Sequence, residues 1–393
     1  MKTIYLDNNA TTRVAPEVFE EMRPYFDEFY GNPSSMHSFG GMTARKIAEA
    51  RMRIADLLGA GSPSEIVFTS CGTESDNAAL FGILRSYPSK RHIITTKVEH
   101  PAVLNTCRYL MREGYRVTFL SVDQSGQLDL EELREAITPD TCLVSIMYAN
   151  NETGVIFPIN EIAAIVKEKG AIFHTDAVQA VGKISLNLKE SPIDILSLSG
   201  HKLHASKGVG VLYLREGTKF TPFLIGGHQE NGRRGGTENV ASIIGLGKAC
   251  ELAGLHYDEE QTRVRTLRDR LETSILEKVP NTLVNGDRVH RLPNTTNISF
   301  EFIEGEAILL LLSDRGIAAS SGSACTSGSL EPSHVLRAMQ IPFTHTHGSI
   351  RFSLSRYTTQ EEIDTVINEL LPIIDRLRAI SPFGPKSKGI GIR

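Results

Sequence analysis

A chain of 393 residues with 40% hydrophobic and 22% charged content is long enough to bury a large core and to divide into two domains. Its 42 Lys and Arg stand against 46 Asp and Glu, a formal charge of −4, which leaves no electrostatic case for nucleic acid or an anionic membrane surface. No apolar run approaches the roughly 18 residues of a membrane span, and the start Met1-Lys2-Thr3-Ile4-Tyr5-Leu6-Asp7 lacks a signal-peptide core, so the expected compartment is the cytoplasm. Cys71, Cys107, Cys142, Cys250 and Cys325 are odd in number, far apart and without a C-x-x-C pair. They indicate neither a disulfide framework nor a zinc site, and a reduced compartment suits a free thiol.

Asp7-Asn8-Asn9-Ala10-Thr11-Thr12 is rich in turn and cap residues, and the pattern after Pro16 predicts a helix from about 17 to 29. Gly31-Asn32-Pro33-Ser34-Ser35 is a loop before a helix at about 41 to 58. A strand at 65 to 70 then runs into Cys71-Gly72-Thr73-Glu74-Ser75-Asp76 and the start of a helix. This is an anion site in sequence form: Gly72 permits close backbone approach, Thr73 offers hydroxyl and amide, and a helix N-terminus carries unsatisfied N–H groups. Helix capping alone explains the same residues, and Cys71 reads as a packing thiol. The next strand, 91 to 96, leads to Val98-Glu99-His100-Pro101. Pro101 suits a first helical turn, so His100 falls at a strand-to-helix junction, where an imidazole can stack on a flat ligand and exchange protons near neutral pH.

Strands at 117 to 122 and 142 to 147, with a helix at 129 to 137 between them, continue an alternation that predicts a mostly parallel α/β sheet. Asn150 and Asn151 follow the second of these strands; a turn before Gly154 accounts for them equally well. An apolar run then ends on Asp176 in His174-Thr175-Asp176-Ala177-Val178-Gln179, and a second, Asp194-Ile195-Leu196-Ser197-Leu198, ends on Ser199-Gly200-His201-Lys202. Core strands of an open α/β sheet deliver their polar ends to the ligand crevice, and a lysine desolvated there becomes a nucleophile for carbonyl groups. A carboxylate beside a pyridine nitrogen keeps that ring protonated, which pairs Asp176 with Lys202 in a pyridoxal phosphate site and puts Gln179 near the ring hydroxyl. Taken singly, Asp176 and Gln179 are also a helix cap and a loop amide. Gly208 and Gly210 in the following strand lack the third glycine and the strand-before-helix order of a dinucleotide fingerprint.

Gly226 to Asn239 is a glycine-rich, basic loop entering a helix, and from about 240 the pattern changes to long helices. Asp258-Glu259-Glu260 with Arg263, Arg265, Arg268 and Arg270 read as a solvated face marking a domain boundary. Strands near 295 to 302 and 349 to 354, with helices near 305 to 315 and 359 to 378, predict a small α+β second domain. Ser320-Ser321-Gly322-Ser323-Ala324-Cys325-Thr326-Ser327-Gly328-Ser329 holds almost nothing that anchors in a core, which predicts a mobile loop presenting Cys325 as a reactive thiol. Arg351 lies in an alternating strand, as a structural ion pair or as a bidentate carboxylate ligand. His334, His345 and His347 have the look of a ligand cluster without a fourth group, and the run from Phe383 reads as a frayed tail.

H-T-D-A-V-Q at 174 to 179, S-G-H-K at 199 to 202 and S-S-G-S-A-C-T-S-G at 320 to 328 together resemble the NifS/IscS-type cysteine desulfurases of the class V aminotransferase group, over about residues 5 to 381. The match of residues 322 to 334 leans towards the NifS branch. The resemblance implies an α/β, type I aminotransferase fold: a large domain, 15–255, with a mostly parallel seven-stranded sheet, and a small α+β domain formed by 1–14 and 256–393 that carries the cysteine loop at about 320–333. It implies pyridoxal 5'-phosphate held by Gly72, Thr73, His100, Asn151, Asp176, Gln179, Ser199, Gly200, His201 and Lys202, with Thr237 reaching the phosphate of the neighbouring subunit of a homodimer. The catalytic residues implied are Lys202, His100 and Cys325; Asn151 and Arg351 bind the substrate carboxylate of L-cysteine. No intrinsic metal site is implied, and the expected sulfur acceptor is an iron–sulfur scaffold protein, with Cys325 available to a cluster shared on it. Two other readings stay open from the residues: another pyridoxal phosphate enzyme such as an aminotransferase or selenocysteine lyase, and a non-catalytic sulfur carrier or scaffold.

Overall fold

The computed structural model describes residues 3–321 and 332–382; Cys325, the rest of its loop from Gly322 to Glu331 and the tail from Phe383 lie outside them. The strands are β1 (Ile4–Tyr5), β2 (Ile66–Thr69), β3 (His92–Thr96), β4 (Arg116–Leu120), β5 (Thr141–Ser145), β6 (Ile172–Asp176), β7 (Ile195–Ser199), β8 (Gly210–Leu214), β9 (Thr282–Val284), β10 (Thr295–Phe300), β11 (Ile317–Ala318) and β12 (Ser349–Ser353). The main sheet has seven strands in the order β2-β8-β7-β6-β5-β3-β4. Only β8 runs against its neighbours, pairing antiparallel with β2 and β7. The short apolar runs read as core strands are buried along their whole length in β3, β5, β7 and β8. Such burial on both faces is what helices on either side of a parallel sheet impose.

Crossover helices Gly72–Ser86, Pro101–Arg112 and Ile159–Glu168 connect the strands and return the chain so that β2, β3, β5, β6 and β7 all end at one edge of the sheet. The chain passes Gly210 close to the end of β2: a Cβ there would lie 2.7 Å from the backbone carbon of Cys71. The helix expected from about 17 to 29 is two short helices, Pro16–Met22 and Pro24–Asp27. Pro24 supplies no N–H and closes off the turn before it.

A second sheet, β12-β10-β9, is antiparallel. It packs with helices Arg265–Lys278, Gly305–Asp314 and Gln360–Ile380 around a separate core that also takes in Leu6 from the other end of the chain, whereas Ala15 and Val18 belong to the larger core. Val335, Leu336 and Met339, from helix His334–Ala338, also join the larger core. The stretch 258–270 is not a uniformly solvated face. Arg268 is 4% exposed and donates to the carbonyls of Leu292 and Thr295 at 3.1 Å, on the inward face that it shares with Val264, Leu267 and Leu271.

Candidate active site

The strand ends and the amino-terminal segment enclose a cavity of about 380 Å³. After β7 the chain makes a single 3-10 turn, Gly200–Lys202, which Gly200 permits: a Cβ would lie 2.8 Å from Val209 Cγ1 and 3.2 Å from the Val209 carbonyl oxygen. The turn brings Lys202 to the cavity, where Nζ donates to the carbonyls of Asn9 at 2.5 Å and Ala10 at 2.6 Å. β6 ends on Asp176, which accepts a 2.9 Å hydrogen bond from the Val178 N–H. Gln179 Nε2 donates to the Asn9 carbonyl at 3.0 Å. Among the described residues, buried Gln179 Oε1 and Ser199 Oγ have no hydrogen-bond partner.

β2 enters the helix Gly72–Ser86 through Cys71, whose Sγ accepts the Glu74 N–H at 3.4 Å. Gly72 and Thr73 line the cavity, so the positive end of a helix faces it. His100 caps the helix Pro101–Arg112, its Nδ1 accepting the Ala102 N–H at 3.2 Å. His201 Nδ1 lies 3.1 Å from Thr11 Oγ1. From the small domain β12 brings Arg351, 2% exposed, whose guanidinium pairs with Asp7 Oδ1 at 2.7 Å and donates to the Asn151 carbonyl at 3.0 Å. Its Nε is buried with no partner among the described residues.

Burial governs the ionisation of this wall. It pushes the His100 imidazole down from its ordinary value against the pull of Asp176, with Lys202 and His334 adding to the downward shift. It raises the Asp176 carboxyl, which His100, the Val178 N–H and Lys202 counteract. Glu99, next to His100, is pushed up to about 8, although Thr96 and the Met147 N–H both donate to its Oε1. His201 is pushed down to about 4 by burial and by the charges of Lys202 and Lys207.

The family model for aminotransferase class-V proteins matches residues 4–366. The chain belongs to the aminotransferase class-V family. It is 64% identical over 383 residues to a cysteine desulfurase of Trichormus azollae, covering 98% of this chain and 96% of that protein. Against the cysteine desulfurase NifS of Azotobacter vinelandii the identity is 61% over 383 residues, covering 98% and 95%. A solved NifS-like protein superposes with a TM-score of 0.90 at 41% identity, covering 95% of this chain and all of that one. The fold is accordingly the type I architecture of the pyridoxal phosphate enzymes, with the mostly parallel seven-stranded sheet as its centre.

In this class-V chain Gly72, Thr73, His100, Asn151, Asp176, Gln179, Ser199, His201, Lys202 and Arg351 all line the one cavity. Gly200 does not reach the wall; it acts by letting the turn close on Val209. Thr237 is exposed and away from the lining. Cys71, read as a packing thiol, is half-buried and lines the cavity. His334 approaches the site, its Nε2 2.9 Å from the Glu99 carbonyl oxygen, while His347 pairs with Glu304 at 3.4 Å in the small domain. These two histidines and His345 form no group close enough to hold an ion among the described residues. The resemblance puts the segment with Asp7 and Asn9 near the site, but no individual role was expected of Asp7, Asn9, Asp76, Glu99 or His174. Two of them had a signal in spacing: Asp76 is one helical turn from Thr73, and His174 is two strand positions from Asp176 and shares its face.

The family implies pyridoxal phosphate, and the cavity fits it. A helix N-terminus stands where an anion needs N–H donors, Asp176 offers a carboxylate, Lys202 an amine, and Gln179 Oε1 and Ser199 Oγ are buried polar atoms lacking partners among the described residues. The volume lies in the range of cofactor pockets, roughly 300–1,000 Å³.

Proposed function

We propose that this protein is a pyridoxal-phosphate-dependent cysteine desulfurase, converting L-cysteine to L-alanine and leaving the sulfur as a persulfide on Cys325. The observation that carries the reading is the meeting of Asp176 and Lys202, from the ends of adjacent strands, around a cavity faced by a helix N-terminus. Near-full-length likeness to cysteine desulfurases supports it.

The helix start at Gly72 and Thr73, with Ser199 and His201, would hold the phosphate, Asp176 the ring nitrogen and Gln179 the ring hydroxyl. Bound there, pyridoxal phosphate supplies an electron sink for charge developing at the substrate Cα. The Lys202 amine, oriented by two carbonyls, takes the Cα proton. Arg351 and Asn151 receive the α-carboxylate; for Arg351 this means sharing a guanidinium that Asp7 already holds. His100 accepts the substrate thiol proton at Nε2, giving up its capping bond as Nδ1 takes the N–H form. The Cys325 thiolate attacks the substrate sulfur: an S–S bond forms, the carbon–sulfur bond breaks, and its electron pair stays with the three-carbon fragment, which takes one proton at Cβ from His100, recovers the Cα proton from Lys202 and leaves as alanine.

The division into 15–255 and 1–14 plus 256–393 is supported by Leu6 and Ala15 falling in different cores. A homodimer is supported by exposed Ile225, Leu224 and Thr237 on one loop, outside their own chain's cavity; Thr237 then serves the phosphate of the second subunit. An iron–sulfur scaffold in the cytoplasm is the proposed sulfur acceptor. No helix among the described residues is long and apolar enough to cross a membrane.

The test is the visible spectrum of the purified protein, followed by addition of L-cysteine and assay of alanine and protein-bound sulfur. Lys202→Ala is expected to lose the cofactor band and Cys325→Ala to lose both products. Cysteine-dependent sulfide release intact in Cys325→Ala would overturn the mechanism in favour of another pyridoxal phosphate activity. A colourless wild type that stays inert after added pyridoxal phosphate would return the chain to a carrier role.

A further inference from the structure

The mechanism above leaves a second buried carboxyl unused. Asp76, on the helix Gly72–Ser86, is 1% exposed and lines the same cavity as Asp176. Its carboxyl, the Asp176 carboxyl and a His100 ring nitrogen lie within 4.8 Å of one another. Two carboxyls that close in a buried wall do not both ionise, so one keeps a proton.

Their surroundings decide which. Asp176 accepts the Val178 N–H and faces both His100 and Lys202. Asp76 shares the nearby His100 ring, whose pKa burial lowers, but has neither a backbone N–H nor a lysine charge in its favour. Its Oδ1 has no hydrogen-bond partner among the described residues, and the charges that bear on it come from Asp176, Glu99 and Cys71, none of them a cation. The base nearest to it is His174, with Nε2 at 3.7 Å from Oδ1, and burial pushes that imidazole down to about 3, so it stays neutral. An ionised Asp76 would therefore stand buried beside a second carboxylate with only the Ser197 hydroxyl in its favour.

Behind Asp76 a polar chain crosses three adjacent strands. Ser145 Oγ on β5 lies 2.8 Å from His174 Nδ1 on β6, and His174 Nε2 lies 2.9 Å from Ser197 Oγ on β7. All three are 0% exposed. Ser145 and His174 face each other across the β5–β6 ladder. A fully buried row of this kind holds a single arrangement because each member satisfies the next, and it presents one hydroxyl, that of Ser197, to the Asp76 carboxyl.

We propose that Asp76 is a positioning residue for Asp176: a neutral, protonated carboxyl in the cavity wall that keeps Asp176 the ionised member of the pair, ready for the ring nitrogen of a bound pyridine cofactor. The Ser145–His174–Ser197 row fixes its orientation. The inference rests on the assignment of Asp176 to that nitrogen.

The test measures, on the full-length protein, the dissociation constant for pyridoxal phosphate and the pH midpoint of its visible band. Asp76→Asn, which keeps shape and neutrality, is expected to hold the affinity within about threefold of wild type with an unmoved midpoint. Asp76→Leu, which removes the polar group, is expected to weaken binding about tenfold or more and to move the midpoint, as loss of a contact to a charged partner does. An Asp76→Asn protein as defective as Asp76→Leu would overturn the inference by requiring the charged form; an Asp76→Leu protein equal to wild type would overturn it by removing any role. Should Asp76→Leu fail to fold, Asp76→Ala and Ser197→Ala carry the test. Both are expected to weaken binding about threefold or more, and wild-type affinity in both would overturn it. Asp176→Asn is the separate control: unchanged affinity and midpoint there would overturn the ring-nitrogen assignment itself, whatever the Asp76 variants do.

Discussion

His100 sits where burial and the Lys202 charge favour the neutral imidazole more than Asp176 favours the cation. A base must be neutral to accept a proton, so kcat/KM for L-cysteine should fall on the acid side with a midpoint below 6.5, the ordinary imidazole value. His100→Gln should lower kcat/KM by roughly 10²- to 10⁴-fold, the usual weight of a positioned acid–base group, and flatten that acid limb. A limb that persists unchanged in the variant would assign it to another group. The neighbouring Glu99 makes a stability prediction with the opposite sign. Its folded pKa, about 8, lies above the ordinary 4.5, so between those values the folded state binds more protons than the unfolded one. Stability from this site is therefore present below pH 4.5 and is lost as pH rises towards 8. Glu99→Gln, neutral throughout, should raise the melting temperature relative to wild type at pH 8 and lose that advantage at pH 5, as differential scanning calorimetry would show. The family resemblance, not residue identity, singled out His100 in advance, because a histidine before Pro101 serves equally as the helix cap seen here. Glu99 was not readable, since its burial comes from Met147 and Thr96 on neighbouring segments.

The elements obey local chemistry more closely than the individual contacts do. Strands that close on a polar residue and helices that begin with Gly, Thr or Pro are visible in composition, and the alternation placed nearly every element of the main sheet. The split at Pro24 departs from the single helix expected over 17 to 29, because proline cannot continue the preceding turn. What composition does not carry is close approach between elements. Gly210 resembles any strand glycine, yet it lets β8 pass the entry to the helix Gly72–Ser86, with Cys71 backbone 2.7 Å from the position of a Cβ. Backbone cannot give way as a side-chain tip does. Gly210→Ala should destabilise the protein by about 1–3 kcal/mol in urea unfolding, the range for overpacking, and should weaken cofactor binding by displacing the helix start from Ser199. Wild-type stability in this variant would mean that β8 can shift without loss.

At the scale of the molecule the two cores are joined through polar contacts as well as apolar ones. Glu272, 2% exposed on the helix Arg265–Lys278, pairs with Arg291 at 2.5 Å and accepts from Thr296 at 2.7 Å. Arg291 in turn bridges to Val155, four residues after Asn151. Without Glu272, buried Arg291 keeps only the half-exposed Asp269 at 3.8 Å, so Glu272→Gln should cost about 3–5 kcal/mol of stability. Because Asn151 carries the carbonyl that Arg351 holds, the same variant should raise KM for L-cysteine more than it lowers kcat. A loss confined to stability would separate this junction from the site. Arg268 belongs to the same region and shows why a charge-rich stretch misled: its guanidinium is covered by Leu292 and Thr295 from a segment more than twenty positions away.

The amino-acid sequence by itself determined the α/β class, the strand ends that carry Asp176 and Lys202, the helix start at Gly72 and Thr73, and the family. Each is written in contiguous residues whose local preference and tertiary role agree. Tertiary structure alone decided that Asn9 and Ala10, near the amino terminus, hold the Lys202 amine, that Asp7 holds Arg351 across 344 positions, and that Asp76 shares its wall with Asp176. Those contacts join residues with no local signature, and burial together with the absence of competing water, rather than any propensity, is what gives them their energy.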